Sequence, residues 1–573
     1  MRGSRVCFGL WGSGDDGRTG DQELIHTMNW RTRTARRGAI LLSALACIGT
    51  AMATMGAGSA NAVPIRNSTP WSILLCKFVD QPQEPQPPSF FANFLTGAGV
   101  GMGGLADYYA DQSDGLVSLS GSVVQGWYTE SYTLAQDKTV DRWTRSQHCV
   151  DAAAAGGYTV PAGSRVITII NAQVDSGEVG GPGGRVVLDP LAWDVGFAAH
   201  EMGHSYGLNH SFSNDTTALH GGAPGEYDDP WDEMSAMNIF AFNTPNFSTS
   251  AVGLAAYQRD KLGWLPINRV VTVGSDGVGS RTVTLAPLEV QSAPGPLLVR
   301  IPFDPADLNH YYTVEFRRQV GWSRAIPGDT VLIHEVQGGK PTLIRDLAGS
   351  KSPVQSLNAN GVQITVNSVS GNTATVSITT DIVNRCLQGY VWRQAIPSDH
   401  VCVTPAERSQ VAADNAAAPS RWVNGAFGPH TCVNGFVWRE AFTSPTFDDV
   451  CVTPDQRSQA AADNAAAASR INPARLVFGP NACQNGFVWR QADSFDYACV
   501  TSAERSQVAA DNAAAPSRWV NGAFGPHTCV NGFVWREAFH NPTFDDVCVT
   551  PAQRSQAAAD NAAAASRVLS PNG

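Results

Sequence analysis

The alternation of apolar and polar residues changes character along the chain and marks four zones, 1–62, 63–266, 267–381 and 382–573. In the second zone Trp71-Ser72-Ile73-Leu74-Leu75-Cys76-Lys77-Phe78-Val79 is an almost unbroken apolar run and predicts a buried strand. Residues 90–95 and 105–110 have helical spacing, 117–124 alternates like a strand, and 142–155 predicts a helix carrying Cys149. The β-branched run at 165–170 predicts a central strand. Gly180-Gly181-Pro182-Gly183-Gly184 reads as a loop feeding an edge strand over Gly184, Arg185, Val186 and Val187. Such an edge can add an extended peptide through backbone hydrogen bonds; a glycine loop with no such role is the alternative.

In the third zone the runs shorten. Segments 270–273, 282–285, 297–301, 311–316, 330–334, 363–366 and 374–378 read as strands separated by turn residues, the signature of a β-sandwich-like domain. His334, inside one of them, reads as structural rather than as a ligand.

The fourth zone repeats. Copies start at Cys386, Cys432, Cys483 and Cys529, each with a Gly-aromatic-Val-Trp-Arg unit (Trp392, Trp438, Trp489, Trp535) and a second cysteine (Cys402, Cys451, Cys499, Cys548). A longer period of 97 residues, from 386 to 483 and from 432 to 529, groups the copies into a duplicated pair. Thr404, Thr453, Thr501 and Thr550 are followed three residues on by Glu407, Gln456, Glu504 and Gln553, which predicts capped helix starts. Pro419 is expected to stop the first of these helices. A unit this small has too little core to fold alone, which predicts one disulfide per copy: Cys386–Cys402, Cys432–Cys451, Cys483–Cys499 and Cys529–Cys548. Zinc binding by these cysteines is the rival, but the spacing lacks a C-x-x-C knuckle. The Trp-Arg pairs read either as a binding face or as core tryptophans with stacked arginines.

A length of 573 residues leaves room for these domains. The net charge of −11, with no long basic run, argues against a nucleic-acid partner. Residues 1–62 read as an N-terminal extension and a secretory signal with its true start at Met28. A basic stretch runs to Arg36-Arg37, an apolar run covers 39–48, and Ala60-Asn61-Ala62 forms the cleavage site. A lipoprotein anchor at Cys47 fits poorly after Ala44-Leu45-Ala46, and Arg36-Arg37 leaves a twin-arginine route open. No later apolar run is long enough to span a bilayer, so the mature chain is expected to be secreted and extracellular. Ten of the 12 cysteines follow the signal, an even number for an oxidising compartment. Cys76 and Cys149 are expected to pair and to contribute about 4 kcal/mol by chain entropy, with two buried free thiols as the alternative.

The chemistry concentrates at His200-Glu201-Met202-Gly203-His204-Ser205-Tyr206-Gly207-Leu208-Asn209-His210, the pattern H-E-x-x-H-x-x-G-x-x-H. Four residues span about one helical turn, so His200 and His204 leave the same face. Gly207 can end the helix at positive φ and return His210 to the same ion. Three protein ligands leave a fourth position for water, as in a catalytic zinc site. Glu201 is placed to take a proton from that water. A methionine in a tight turn beyond the third histidine can pack beneath the rings; Met234 fits, with Met237 as a competitor.

With Gly207, His210 and Met234, this motif resembles the metzincin clan of metallopeptidases. Residues 200–211, Tyr227-Asp228-Asp229, Met234-Ser235 and Leu262-Gly263-Trp264 resemble its gametolysin-type branch. Ala106-Asp107-Tyr108-Tyr109 and residues 121–127 resemble the secreted immune inhibitor A-type peptidases. The resemblance covers roughly residues 66–381. It implies an α+β fold, with a metzincin-like catalytic domain of twisted sheet and HExxH helix, a cleft, and a lower subdomain holding the methionine turn. It implies His200, His204 and His210 as zinc ligands and Glu201 as general base and acid, acting on peptide bonds of protein substrates. Some metzincins place an oxyanion-stabilising tyrosine two residues after the methionine; here Ala236 stands there, which leaves the stabiliser open. An acidic third ligand, as the immune inhibitor A type suggests, would fall to Asp215 or Asp228. The tail resembles Cys- and Trp-containing repeats of secreted bacterial hydrolases.

The expected function is therefore a secreted zinc endopeptidase with a β-sandwich and four disulfide-stapled repeats, which would bind wall polymer, glycan or protein. Two other readings are an exported binding protein on a non-proteolytic metzincin-like scaffold and a zinc hydrolase of non-peptide amides. Calcium is compatible with such a chain, yet no loop spells out a site.

Overall fold

The computed structural model describes residues 65–568 except 218–221, 236–238, 251, 275–278, 305, 306, 308, 348, 381–385, 388, 397, 398, 444, 445, 471–478, 485 and 540–543. The expected signal segment, with Cys47, lies outside these residues.

Trp71–Lys77 (β1) is apolar on both faces and becomes an inner strand, as continuous runs do when both faces are covered. With β2 (Val123–Thr129), β3 (Arg165–Ile170), β4 (Gly177–Val179) and β5 (Arg185–Leu188) it forms a sheet of order β2-β1-β3-β5-β4. Only β4 runs antiparallel. The expected edge at Gly184, Arg185, Val186 and Val187 is thus corrected. Val186 pairs with Ile167 on one side and Glu178 on the other, and the edge is β4. Gly180, Gly181 and Gly183 take positive φ and turn the chain back, which places β4 outside β5. The alternating run at 117–124 also divides: Val117–Ser118 pairs with Asn67–Ser68, and β2 starts at Val123.

One face of the sheet packs on α1 (Pro88–Leu95), α2 (Leu105–Gln112) and α4 (Val195–Tyr206). The other packs on α3 (Arg142–Ala155), joined to β1 by the expected Cys76–Cys149 disulfide. Beside that disulfide, both carboxylate oxygens of Glu130 are buried with no hydrogen-bond partner. Burial, reinforced by Asp137 and opposed by Arg145, pushes its pKa up to about 8.

The next domain is two facing sheets. One has the order β7-β9-β10-β11-β12-β6, from β6 (Phe212–Ser213), β7 (Val270–Thr272), β9 (Leu298–Pro302), β10 (Tyr311–Arg317), β11 (Thr330–Gln337) and β12 (Lys340–Leu343). The other is β8-β15-β14-β13, from β8 (Ser280–Leu285), β13 (Ser356–Ala359), β14 (Val362–Ser370) and β15 (Thr373–Thr379). Leu285, Ile364 and Val376 of one sheet share a core with Ile301, Val314 and Ile333 of the other, as in a sandwich. The boundary at 266 is not clean: β6, only two residues beyond His210, pairs with β12.

The repeats form two interlocked pairs rather than four separate units. All four expected disulfides and all four capping boxes are present. The helices are α6 (Pro405–Arg421), α7 (Pro454–Ala466), α8 (Ser502–Ala514) and α9 (Pro551–Ala563). Arg421 at the end of α6 donates to Cys451 O of the next copy (2.9 Å), and Arg470 returns the contact to Cys402 O (3.0 Å). Arg518 and Arg567 repeat the exchange with Cys548 O and Cys499 O. This exchange explains why Pro419 does not stop α6. A proline in the last turn forfeits one hydrogen bond, while Arg421 gains Asp414 and the neighbouring copy. In the Trp-Arg units the expected stacking of these arginines is corrected. Arg393, Arg439, Arg490 and Arg536 are buried and paired with Asp399, Asp448, Asp496 and Asp545. The arginines that stack on rings are Arg421, Arg470, Arg518 and Arg567, over Phe436, Tyr390, Phe533 and Phe487.

The third copy docks on the domain of the first sheet. Phe495 packs against the core beneath the first sheet, and Tyr497 Oη donates to Leu265 O (2.6 Å). Asn481 donates to Asp260 O (2.6 Å), Ile267 N–H donates to Ser494 O (2.7 Å), and Asp493 pairs with Arg66. The matching residues of the second and fourth copies, Phe447 and Phe544, are exposed beside Phe427 and Phe524, each 75 % exposed.

Phe495→Ala is expected to weaken the docking by about 1–2 kcal/mol and to speed amide exchange at Ile267, read by hydrogen-exchange mass spectrometry. Unchanged exchange would deny the contact its role. Glu130 yields a pH prediction. Its folded pKa lies above the ordinary carboxylate value, so its contribution is intact below about pH 4.5 and is lost as pH rises through about 8. Glu130→Gln should therefore gain on the parent chain across that window, by about 1–3 kcal/mol at pH 8, in thermal unfolding.

Candidate metal centre

Helix α4 starts at Asp194, whose side chain accepts from Phe197 N–H (2.9 Å). It ends at Gly207 with φ of 102°, a left-handed cap that carries the chain back towards its own last turn. His200 and His204 project from one face, and the return loop delivers His210 to them. The Nε2 atom of His204 lies 3.1 Å from that of His200 and 3.0 Å from that of His210. Tetrahedral bonds of zinc to nitrogen would set such atoms about 3.3 Å apart.

Each opposite nitrogen is engaged. His200 Nδ1 donates to Glu233 O (2.9 Å), and His204 Nδ1 to Leu208 O (2.9 Å). His210 Nδ1 meets Glu226 Oε1 at 2.5 Å. With the Nδ1 protons committed outward, three Nε2 lone pairs face one another, an arrangement that repels itself without a cation between them. Burial, then the charges of His204 and His210, hold the His200 pKa well below its ordinary value. Burial lowers that of His204 to about 4. Both rings are thus neutral, as metal ligands must be. This donor set fits a divalent metal ion with nitrogen preference.

Glu201, 8 % exposed, sits one residue beyond His200. Burial raises its pKa to about 7, against the opposing influence of Arg142 and the Glu178 backbone N–H on edge strand β4. Met234 is fully buried, and its Sδ lies 2.6 Å from where a Cβ on Gly203 would stand. Only glycine between the two helical ligands makes room for that thioether. Met234 O also accepts from Ser211 N–H (2.8 Å). Met237 and Ala236 lie outside the described residues.

The stretch between the third histidine and Met234 is held from the β-sandwich. Asp228 pairs with Arg345 (2.6 Å) and accepts from Ser213 Oγ. Asp229 accepts from Ser211 Oγ (2.7 Å) and meets His334 Nε2 of β11 at 3.0 Å. Asp215 accepts from Thr217 and from Gly349 N–H. Neither Asp215 nor Asp228 joins the histidine group, so the acidic third ligand is set aside. His334 is structural, as expected. Sequence reasoning did not assign roles to Glu226, Tyr227 or the Glu233 carbonyl. The only local hint was the density of acidic residues after 225.

Two other groups of ligand-type side chains meet among the described residues. Cys76, Glu130 and Cys149 cannot bind metal through sulfur because the cysteines are bonded to each other. In the second group, Asp137 is already held by Arg145 and His148 next to Glu130.

Glu226→Ala should lower the affinity for Zn²⁺ by about 10–100-fold in chelator competition, since it frees the His210 ring to rotate and weakens its basicity. Equal affinity would mean that the carboxylate only neighbours the ligand. Compared with known proteins, the chain matches no family model and no curated protein.

Proposed function

We propose that the chain is a secreted zinc-dependent endopeptidase of metzincin type, with His200, His204 and His210 as the metal ligands. The observation that carries this reading is the convergence of three imidazoles beside a buried carboxylate, with two of the rings and the carboxylate on one helix. The buried methionine under the ligands and a five-stranded sheet behind the helix agree with it. Secretion accords with five disulfides. No helix among the described residues is long and apolar enough to cross a membrane.

A zinc ion in this site supplies a Lewis acid that acidifies water and polarises a carbonyl. The chain's own residues do the rest. Glu201 takes the proton from the attacking water and returns it to the leaving amine nitrogen. Strand β4 offers its outer edge to an extended substrate, one strand further out than the sequence suggested, next to the Glu201 carboxylate. The exposed aromatic faces of the second and fourth repeats serve for attachment to a wall polymer, glycan or protein.

Glu201→Ala should keep stoichiometric zinc and lose about 10²–10⁴-fold in kcat on casein, with parent activity abolished by a chelator. Metal analysis and a peptide-release assay read both. Undiminished turnover in the variant would overturn the proposal.

A further inference from the structure

We infer that Tyr227 is a catalytic residue of this site, its phenol donating a hydrogen bond to the scissile carbonyl oxygen as negative charge develops there. This rests on the peptidase reading above, and it fills the place that Ala236 leaves without a donor. The Tyr227 ring centroid lies 4.2 Å from that of His210 and 6.2 Å from that of His200. The ring therefore stands against two of the three ligands.

Its backbone is held for that purpose. Tyr227 has φ of 59°, the left-handed region that side chains with a Cβ rarely occupy. Such a conformation persists only where the surroundings impose it. Here Glu226, one residue before, is tied to His210 and bridges Phe212; Asp228, one residue after, is tied to Arg345 and Ser213. The two anchors fix the backbone on either side of Tyr227, and its ring lies against His210.

The hydroxyl is available. It makes no hydrogen bond to any described residue, whereas the buried hydroxyls of Tyr109 and Tyr206 are engaged by Ala199 O and Thr69. Tyr227 lies within reach of the charges of Glu226, then Glu201 and Arg142, which places it near the general base. Arg142 itself is committed to Asp175 through two hydrogen bonds (2.7 and 2.8 Å). Tyr227 is thus an uncommitted hydroxyl donor beside the histidine group. A fixed donor of this kind acts most strongly on charge present only in the transition state.

The test is Tyr227→Phe in the zinc-loaded full chain, which keeps the ring and its packing. We expect kcat to fall about 10²–10³-fold with KM little changed and zinc content equal to the parent. Calorimetry should show a phosphinic peptide, whose tetrahedral phosphorus carries the charged oxygen, binding more weakly by a comparable factor. A product peptide should bind unchanged. Parent-like kcat and phosphinate affinity would overturn the inference, while an inactive Glu201→Ala variant would leave the peptidase reading intact. Loss of zinc from Tyr227→Phe would make the ring a structural support and would overturn it equally.

Discussion

Three imidazole lone pairs aimed at one point are a configuration that a folded chain must enforce. Without an ion they repel, and a free ring would rotate to find a hydrogen bond instead. The enforcement lies on the opposite side of each ring, where two backbone carbonyls and one carboxylate take the Nδ1 protons. These acceptors come from different parts of the chain. Leu208 belongs to the turn that follows α4, Glu233 to the methionine turn, and Glu226 to the loop between them. The rest of the architecture can be read as the means of fixing those three acceptors.

The loop from 226 to 234 has little regular structure and could not hold its shape alone. It is held by charge from the β-sandwich. Arg345 and His334 bind Asp228 and Asp229, while Arg317 donates to Trp231 O and pairs with Glu289 and Glu315. Buried ion pairs of this kind give little net stability, because desolvation offsets attraction. They specify one arrangement, since each of these acids is met by a buried cationic side chain. Asp232 caps the start of α5 (Ala256–Lys261) through Ala255 N–H, tying the same loop to that helix. The sandwich is therefore part of what holds the three histidines together, although it contributes none of them.

How much of this was legible follows from range along the chain. The helix of His200 and His204, its glycine cap, the four capping boxes and the five disulfides depend on neighbours or on cysteine spacing, and all were readable. The inner strands Trp71–Lys77 and Arg165–Ile170 stood out because both of their faces are buried. What escaped depends on distant pairing. Whether 185–188 was an edge turned on a three-residue strand, Gly177–Val179, too short to show a pattern. Phe212–Ser213, Lys340–Leu343 and Ser356–Ala359 escaped for the same reason. The pairings Glu226–His210 and Asp229–His334 span 16 and 105 residues, and no periodicity connects them.

The repeats teach the converse lesson, because there the sequence pattern was plain and the fold still added something. Identical Trp-Arg units invite one role for all copies. The arginine does have one role, burial against an aspartate six or nine residues on. The aromatic face does not. In the third copy Asn481, Phe495 and Tyr497 bind the domain of the first sheet, while the second and fourth copies carry His430 and Asp449, or His527 and Asp546, around exposed phenylalanines. Replacing a tyrosine that donates to a carbonyl by an aspartate that pairs with its own histidine converts an internal contact into an outward surface. Duplication thus supplied one scaffold, and a few differences on one face divide the third copy, which holds the domain of the first sheet, from the aromatic faces that meet solvent.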